Sequence, residues 1–99
     1  MIKHIVMFKL KDYPQAEIKA LNASRLVMEL EHLKKEIPQV KSLKTGINIY
    51  PENEYDVVLE IEFQSMNDLM IYQKHPAHQK VVEYLKTIRE TKASIDYEF

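Results

Sequence analysis

Tyr72-Gln73-Lys74-His75-Pro76-Ala77-His78 is the stretch on which the reading of this chain turns. Proline lacks an amide N–H and disfavours helix at the residue before it, yet it suits the first turn of a new helix. One helix therefore ends at His75 and another starts at Pro76. His78 falls in the first turn of the second helix, near free backbone amides and the positive end of the dipole, which favours a neutral imidazole. A neutral histidine beside Tyr72 is a candidate acid/base pair, and no other such constellation occurs in the chain.

Working back from this break, the strongest periodicity lies in residues 55–63. Tyr55, Val57, Leu59, Ile61 and Phe63 share one face of a strand, while Asp56, Glu60 and Glu62 share the other with Val58. Ser65-Met66-Asn67-Asp68 links it to the short helix, in the pattern of a capping box with Asp as the shorter variant. Before it, Pro51-Glu52-Asn53-Glu54 is a polar turn, and residues 40–50 form an antiparallel partner strand in which Leu43, Ile47 and Ile49 alternate. Gly46 in that strand predicts a bulge or a close backbone approach.

The N-terminal residues 2–11 read as a strand that is apolar on both faces. Ile2, His4, Val6, Phe8 and Leu10 lie on one side, and Ile5 and Met7 lie on the other with Lys3 and Lys9. A long helix follows, from about Pro14 to about Glu36. Its stripe comprises Ile18, Leu21, Leu26, Leu30, Leu33 and Ile37, broadened by Val27 and Met28. Ile37-Pro38 closes it. Beyond the proline break, Val81, Leu85 and Ile88 mark a last helix ending near Arg89–Glu90, and residues 92–99 alternate as a fourth strand.

The order strand, helix, strand, strand, helix pair, strand predicts an α+β, ferredoxin-like domain: a four-stranded antiparallel sheet with its helices on one face. Residues 1–99 form a single domain. The second sheet face, carrying Ile5, Met7 and Val58, then needs a cover, and a two-fold homodimer is the simplest closed arrangement.

Composition narrows the function. Apolar residues make up 45% and charged residues 29% of the 99, with a net charge of −1. That balance offers no basic field for nucleic acid and no acidic tail. With no cysteine there are no disulfides and no thiolate metal sites, and a single glycine excludes a Gly-rich phosphate loop. The charge-interrupted N-terminal run is unlike a signal peptide or membrane span, so a cytoplasmic location and no membrane partner are expected. His75 and His78, separated by a proline and without a third ligand, make a poor metal pair. His32, among Glu and Lys, is expected at the surface.

Taken together, certain residues resemble the stress-responsive A/B barrel family of small dimeric α+β barrels. They are Ile2-Lys3-His4-Ile5-Val6-Met7-Phe8-Lys9-Leu10, Ile37-Pro38, Gly46, Tyr55-Asp56-Val57-Val58-Leu59-Glu60, Tyr72, His75-Pro76-Ala77-His78 and Asp96-Tyr97-Glu98. The resemblance spans nearly the whole chain and implies that the ferredoxin-like sheets pair into a dimeric barrel. Within the family, the chain is similar to plant polyketide cyclases of the olivetolic acid cyclase type, which close a poly-β-keto chain by aldol condensation. That similarity implies Tyr72 and His78 as the catalytic pair, with His4, Val57 and His75 at ligand-binding positions. The cyclase carries a histidine where this chain has Val57. Some relatives hold a cation through backbone carbonyls near Ile37-Pro38-Gln39-Val40, which leaves no side-chain signature. No cofactor is expected.

Two classes of function follow. One is a dimer that binds a small hydrophobic or carbonyl-containing molecule between sheet and helices without catalysis. The other is a cofactor-independent enzyme, an aldol-type cyclase or a monooxygenase, in which His78 takes a proton and Tyr72 supports the developing oxyanion. Against both stands a local reading, with Tyr72 as core, His4 as a satisfied core histidine and the remaining histidines bonded to nearby backbone.

Overall fold

Alternation decides the architecture. In the computed structural model, which describes residues 1–99, four strands form one sheet in the order β2-β3-β1-β4. They are β1 (Ile2–Leu10), β2 (Ser42–Ile47), β3 (Val57–Phe63) and β4 (Arg89–Glu98). All neighbouring pairs are antiparallel. Helices α1 (Ala16–Glu36), α2 (Met66–Lys74) and α3 (Pro76–Ile88) complete the ferredoxin-like α+β fold. None of them is long and apolar enough to cross a membrane.

The register explains the core. Ile2, His4, Val6 and Phe8 stand opposite Phe63, Ile61, Leu59 and Val57, so the inward residues of the two central strands form one continuous surface. All four apolar β3 residues are buried, as the odd-numbered alternation predicts. Against them pack Ala23, Leu26, Leu30 and Leu33 of α1, Leu69 and Tyr72 of α2, and Val81, Leu85 and Ile88 of α3.

Several expectations need correction. Leu21 and Met28 are 68% and 62% exposed, outside the core stripe. At 3.6 residues per turn, Leu21 lies about 180° from Leu30, and Met28 about 160° from Leu26 on the shorter arc. The helix starts at Ala16 after Gln15, not at Pro14. Strand β2 ends at Ile47, and Ile49 is 95% exposed, because Asn48 organises the connection instead. Its side chain donates to the Tyr50 carbonyl and accepts from the Tyr50 amide and the Asn53 side chain. Strand β4 starts directly at Arg89, with a register shift opposite Lys9 and Leu10. Gly46 marks a close approach: a Cβ there would lie 3.2 Å from Val58 Cγ1, while the β2–β3 register runs on without a bulge.

The second face of the sheet is bare of helices. Across it, Met7 is flanked by Val58 and Ala93, Ile5 by Glu60 and Ile95, and Lys3 by Glu62 and Tyr97. Met7, Ile95 and Tyr97 are 39%, 59% and 44% exposed. Lys3 and Lys9 are already paired within the chain, to Glu62 and Glu90.

Candidate functional site

The proline break sets the site. Helix α2 ends at His75, whose extended backbone turns the chain and whose Nδ1 accepts the Ala77 amide at 3.0 Å. His75 is thus the N-cap of α3. At the other end of α2, the Ser65 side chain accepts the Asp68 amide, the first half of the expected capping box. The kink lets Tyr72, on the last turn of α2, and His78, on the first turn of α3, lean over the same patch of sheet.

Their rings lie 4.5 Å apart, centroid to centroid. From below, His4 approaches the Tyr72 ring edge-on at 6.2 Å, and Phe63 packs on it at 5.1 Å. His4, Tyr72 and His78 line one cavity of about 150 Å3 between the sheet and the helices. Val6, Phe8 and Leu85 supply apolar wall, while Lys92, Ser94 and Asp96 supply a polar side from β4. A broader, shallower depression, about 380 Å3, lies on the bare sheet face beside Met7 and Gly46, away from the histidines.

Hydrogen bonds fix which nitrogens are available. His78 Nδ1 lies 3.0 Å from the Gln73 carbonyl oxygen. A carbonyl only accepts, so Nδ1 carries the proton and Nε2 keeps its lone pair. His4 Nδ1 meets the Asp96 carboxylate, which orients the ring in the same way. Burial is the main cause that pushes the His78 pKa down; the Gln73 carbonyl opposes it, and smaller electrostatic contributions from His4 and Lys92 add to it. Neutral His78 is therefore the ground form at neutral pH. Burial alone pushes the Tyr72 phenol well above its ordinary value, so Tyr72 keeps its hydroxyl proton and is not a phenolate. The residue is 1% exposed, and its hydroxyl has no hydrogen-bond partner within the chain.

The arrangement thus offers a lone pair on His78 Nε2, a hydroxyl on Tyr72 and an oriented histidine at position 4, in a small space of mixed apolar and polar lining. Of the residues singled out from the sequence, Tyr72, His78 and His4 come together. Val57 is buried in the core facing the helices and does not line this cavity, and His75 is occupied with its cap. Asp96, Lys92 and the Gln73 carbonyl were not anticipated. Alternation placed Asp96 opposite in facing to Ile95, but only the β1–β4 register sets it against His4. His32 is exposed. No three His, Asp or Glu side chains come together as a metal cluster. At the turn after α1 the Ile37 carbonyl accepts the Val40 amide at 3.1 Å.

Sheet order and helices together define a class, the ferredoxin-like α+β proteins. The chain belongs to the stress responsive A/B barrel domain family, whose model matches residues 2–99. It is similar to a dimeric protein of unknown function with a ferredoxin-like fold from Bacteroides fragilis. That similarity is 32% identity over 99% of this chain and 95% of that one, with a TM-score of 0.91. A dimeric ferredoxin-like protein from Thermobifida fusca shares the fold at 19% identity, covering 99% and 90% of the two chains, with a TM-score of 0.82. So does a hydroxynitrile lyase from Passiflora edulis, at 17% identity over 97% and 90%, with a TM-score of 0.80. Among curated proteins, none matches this chain in sequence.

Proposed function

We propose that this protein is a cofactor-independent catalyst that binds a small carbonyl compound in the cavity under α2 and α3 and moves a proton at the carbon beside the carbonyl. The observation that carries this reading is the convergence of Tyr72 and His78, rings 4.5 Å apart, on a cavity they share with His4. In the proposed step His78 Nε2 takes the proton from the carbon, and the C–H electron pair moves into the enolate. The Tyr72 hydroxyl donates a hydrogen bond to the oxygen as it gains charge. Returning the proton, or capturing a second carbonyl or another electrophile at that carbon, completes the cycle without an external oxidant or reductant.

Size favours a short substrate over an extended polyketide. The cavity is about 150 Å3, well below the roughly 300–1,000 Å3 usual for drug-sized ligands. The presence of a hydroxynitrile lyase on the same fold supports carbonyl chemistry of this scale as one use of the scaffold. Simple binding without turnover is the second reading, and the apolar wall of Val6, Phe8 and Leu85 supports it. We also infer that the working form is a homodimer joined through the bare sheet face. The exposed Met7, Ile95 and Tyr97 on that face favour it, as do the relatives described as dimeric.

Binding is tested by titrating butane-2,3-dione into labelled protein and following the Tyr72, His4 and His78 resonances by NMR. Saturable shifts confined to these residues and their neighbours are expected. Shifts absent there, or spread evenly over the surface, would overturn the assignment of the site.

A further inference from the structure

Strand β4 turns Lys92, Ser94 and Asp96 toward the helices, opposite Phe8, Val6 and His4. Asp96 is matched by His4, which it holds at Nδ1. Lys92 has no carboxylate partner: the ion pairs of the chain involve Lys3, His4, Lys9, Lys19 and Lys86. Ser94, between them, spends its hydroxyl on no group of the chain. Lys92 and Ser94, both solvent-exposed and without a partner in the chain, thus stand on the β4 side of a cavity whose lining also includes the apolar Val6, Phe8, Leu59 and Leu85.

The position of His78 links this wall to the reacting groups. His78 lines the same cavity as His4, Lys92, Ser94 and Asp96. The four-residue step from Lys92 to Asp96 spans about 13 Å of strand, with Ser94 midway. A short molecule whose carbonyl meets Tyr72 and His78 shares the cavity with Lys92 and Ser94. Apolar substituents there would leave the ammonium unpaired, whereas a carboxylate would match it and accept from the hydroxyl as well.

We infer that the site selects a short oxo acid, its carboxylate held by Lys92 and Ser94 while its carbonyl faces Tyr72 and His78. This rests on the proposed function and names its substrate class. Lys92 is the specificity-determining residue, chosen by charge and not by shape. The same charge serves the chemistry, since an ammonium near the enolate offsets the second negative charge that proton removal creates.

Two matched pairs of probes test the inference, each an acid and a neutral diketone with the same number of non-hydrogen atoms: pyruvate with butane-2,3-dione, and 4-oxopentanoate with hexane-2,5-dione. Dissociation constants come from NMR titration of the full chain at low and at high salt. In at least one pair the acid should bind about tenfold more tightly, the scale of a charge-assisted hydrogen bond. Added salt should erode that preference. Lys92→Met should bring the acid-to-diketone ratio to about one, Lys92→Arg should keep it, and Lys80→Met, on the outer face of α3, should leave it unchanged. Diketones that bind while neither acid binds better would overturn the inference and leave the carbonyl site standing. An acid preference that survives Lys92→Met would also overturn it. If no probe moves the Tyr72 and His78 signals, the carbonyl site itself fails, and the inference with it.

Discussion

Replacing Tyr72 with phenylalanine separates function from folding at this site. The ring contributes packing on three sides, to Phe63, His4 and His78, and phenylalanine keeps all of it. The hydroxyl contributes no bond within the chain, although the residue is 1% exposed. Withdrawing a hydroxyl from water without a partner costs about 1–3 kcal/mol on the scale of protein mutations. Water reaching the cavity recovers part of that cost, so the gain on removal should be at most about 1 kcal/mol. For a domain of this length each kcal/mol moves Tm by about 4–8 °C. Tyr72→Phe should therefore leave Tm unchanged or raise it by a few degrees, while lowering turnover of a carbonyl substrate by about a hundredfold or more, as when one oxyanion donor is lost. Circular dichroism melts at one fixed protein concentration supply the first number, because assembly would otherwise shift Tm. A fall in Tm of more than about 5 °C, near 1 kcal/mol, would mean that the hydroxyl is a structural bond and would refute the reasoning. Unchanged turnover would refute the role of Tyr72 as donor.

The remaining expectations concern His78 and the bare sheet face. The folded His78 pKa lies below the unfolded value of 6.5, mainly through burial. The unfolded chain therefore takes up this proton first as pH falls. The stability linked to neutral His78 is fully present above about pH 6.5 and is lost as pH drops toward the folded pKa. Urea midpoints at pH 7.5 and 5.5 should differ less in His78→Gln than in the wild type; an equal or larger difference in the variant would assign the slope elsewhere. Met7, 39% exposed between Val58 and Ala93, lies at the centre of the face inferred to join two copies. A stable interface there should bury at least about 1,000 Å2. Met7→Glu should therefore shift sedimentation toward monomer at micromolar concentration and leave the Tyr72–His78 spacing intact. A wild-type chain that already sediments as a monomer would dismiss the paired sheets.

How far the sequence carried depends on how local each signal was. Residues 57–63 were legible because the strand period of two is strict and one face is wholly buried: Val57, Leu59, Ile61 and Phe63 could point only one way. The helix break was legible because a proline acts through its own ring and its immediate neighbours. Leu21, Met28 and Ile49 misled for the opposite reason. Hydrophobicity suggested burial, but the helix phase and an asparagine-centred turn placed them in solvent. At the site, Tyr72 and His78 are close in sequence and were visible as a pair. The partnership of His4 with Asp96 depends on two strands from opposite ends of the chain lying in a particular register, and no local pattern encodes that. Lys92 is exposed on an edge strand, and its place on the cavity likewise follows only from the β1–β4 register.

The central claim is that His78 moves a proton at the carbon beside a carbonyl, and exchange of that proton with solvent measures it most directly. Butane-2,3-dione in D2O with catalytic amounts of protein, followed by proton NMR, reports each C–H bond broken as loss of methyl signal. Exchange should run well above the buffer rate with the wild-type protein and fall to the buffer rate in His78→Gln and in Tyr72→Phe, with all three chains folded. Exchange at the buffer rate with the wild type, under conditions where the dione saturates the site, would contradict the account and leave a binding protein without this chemistry.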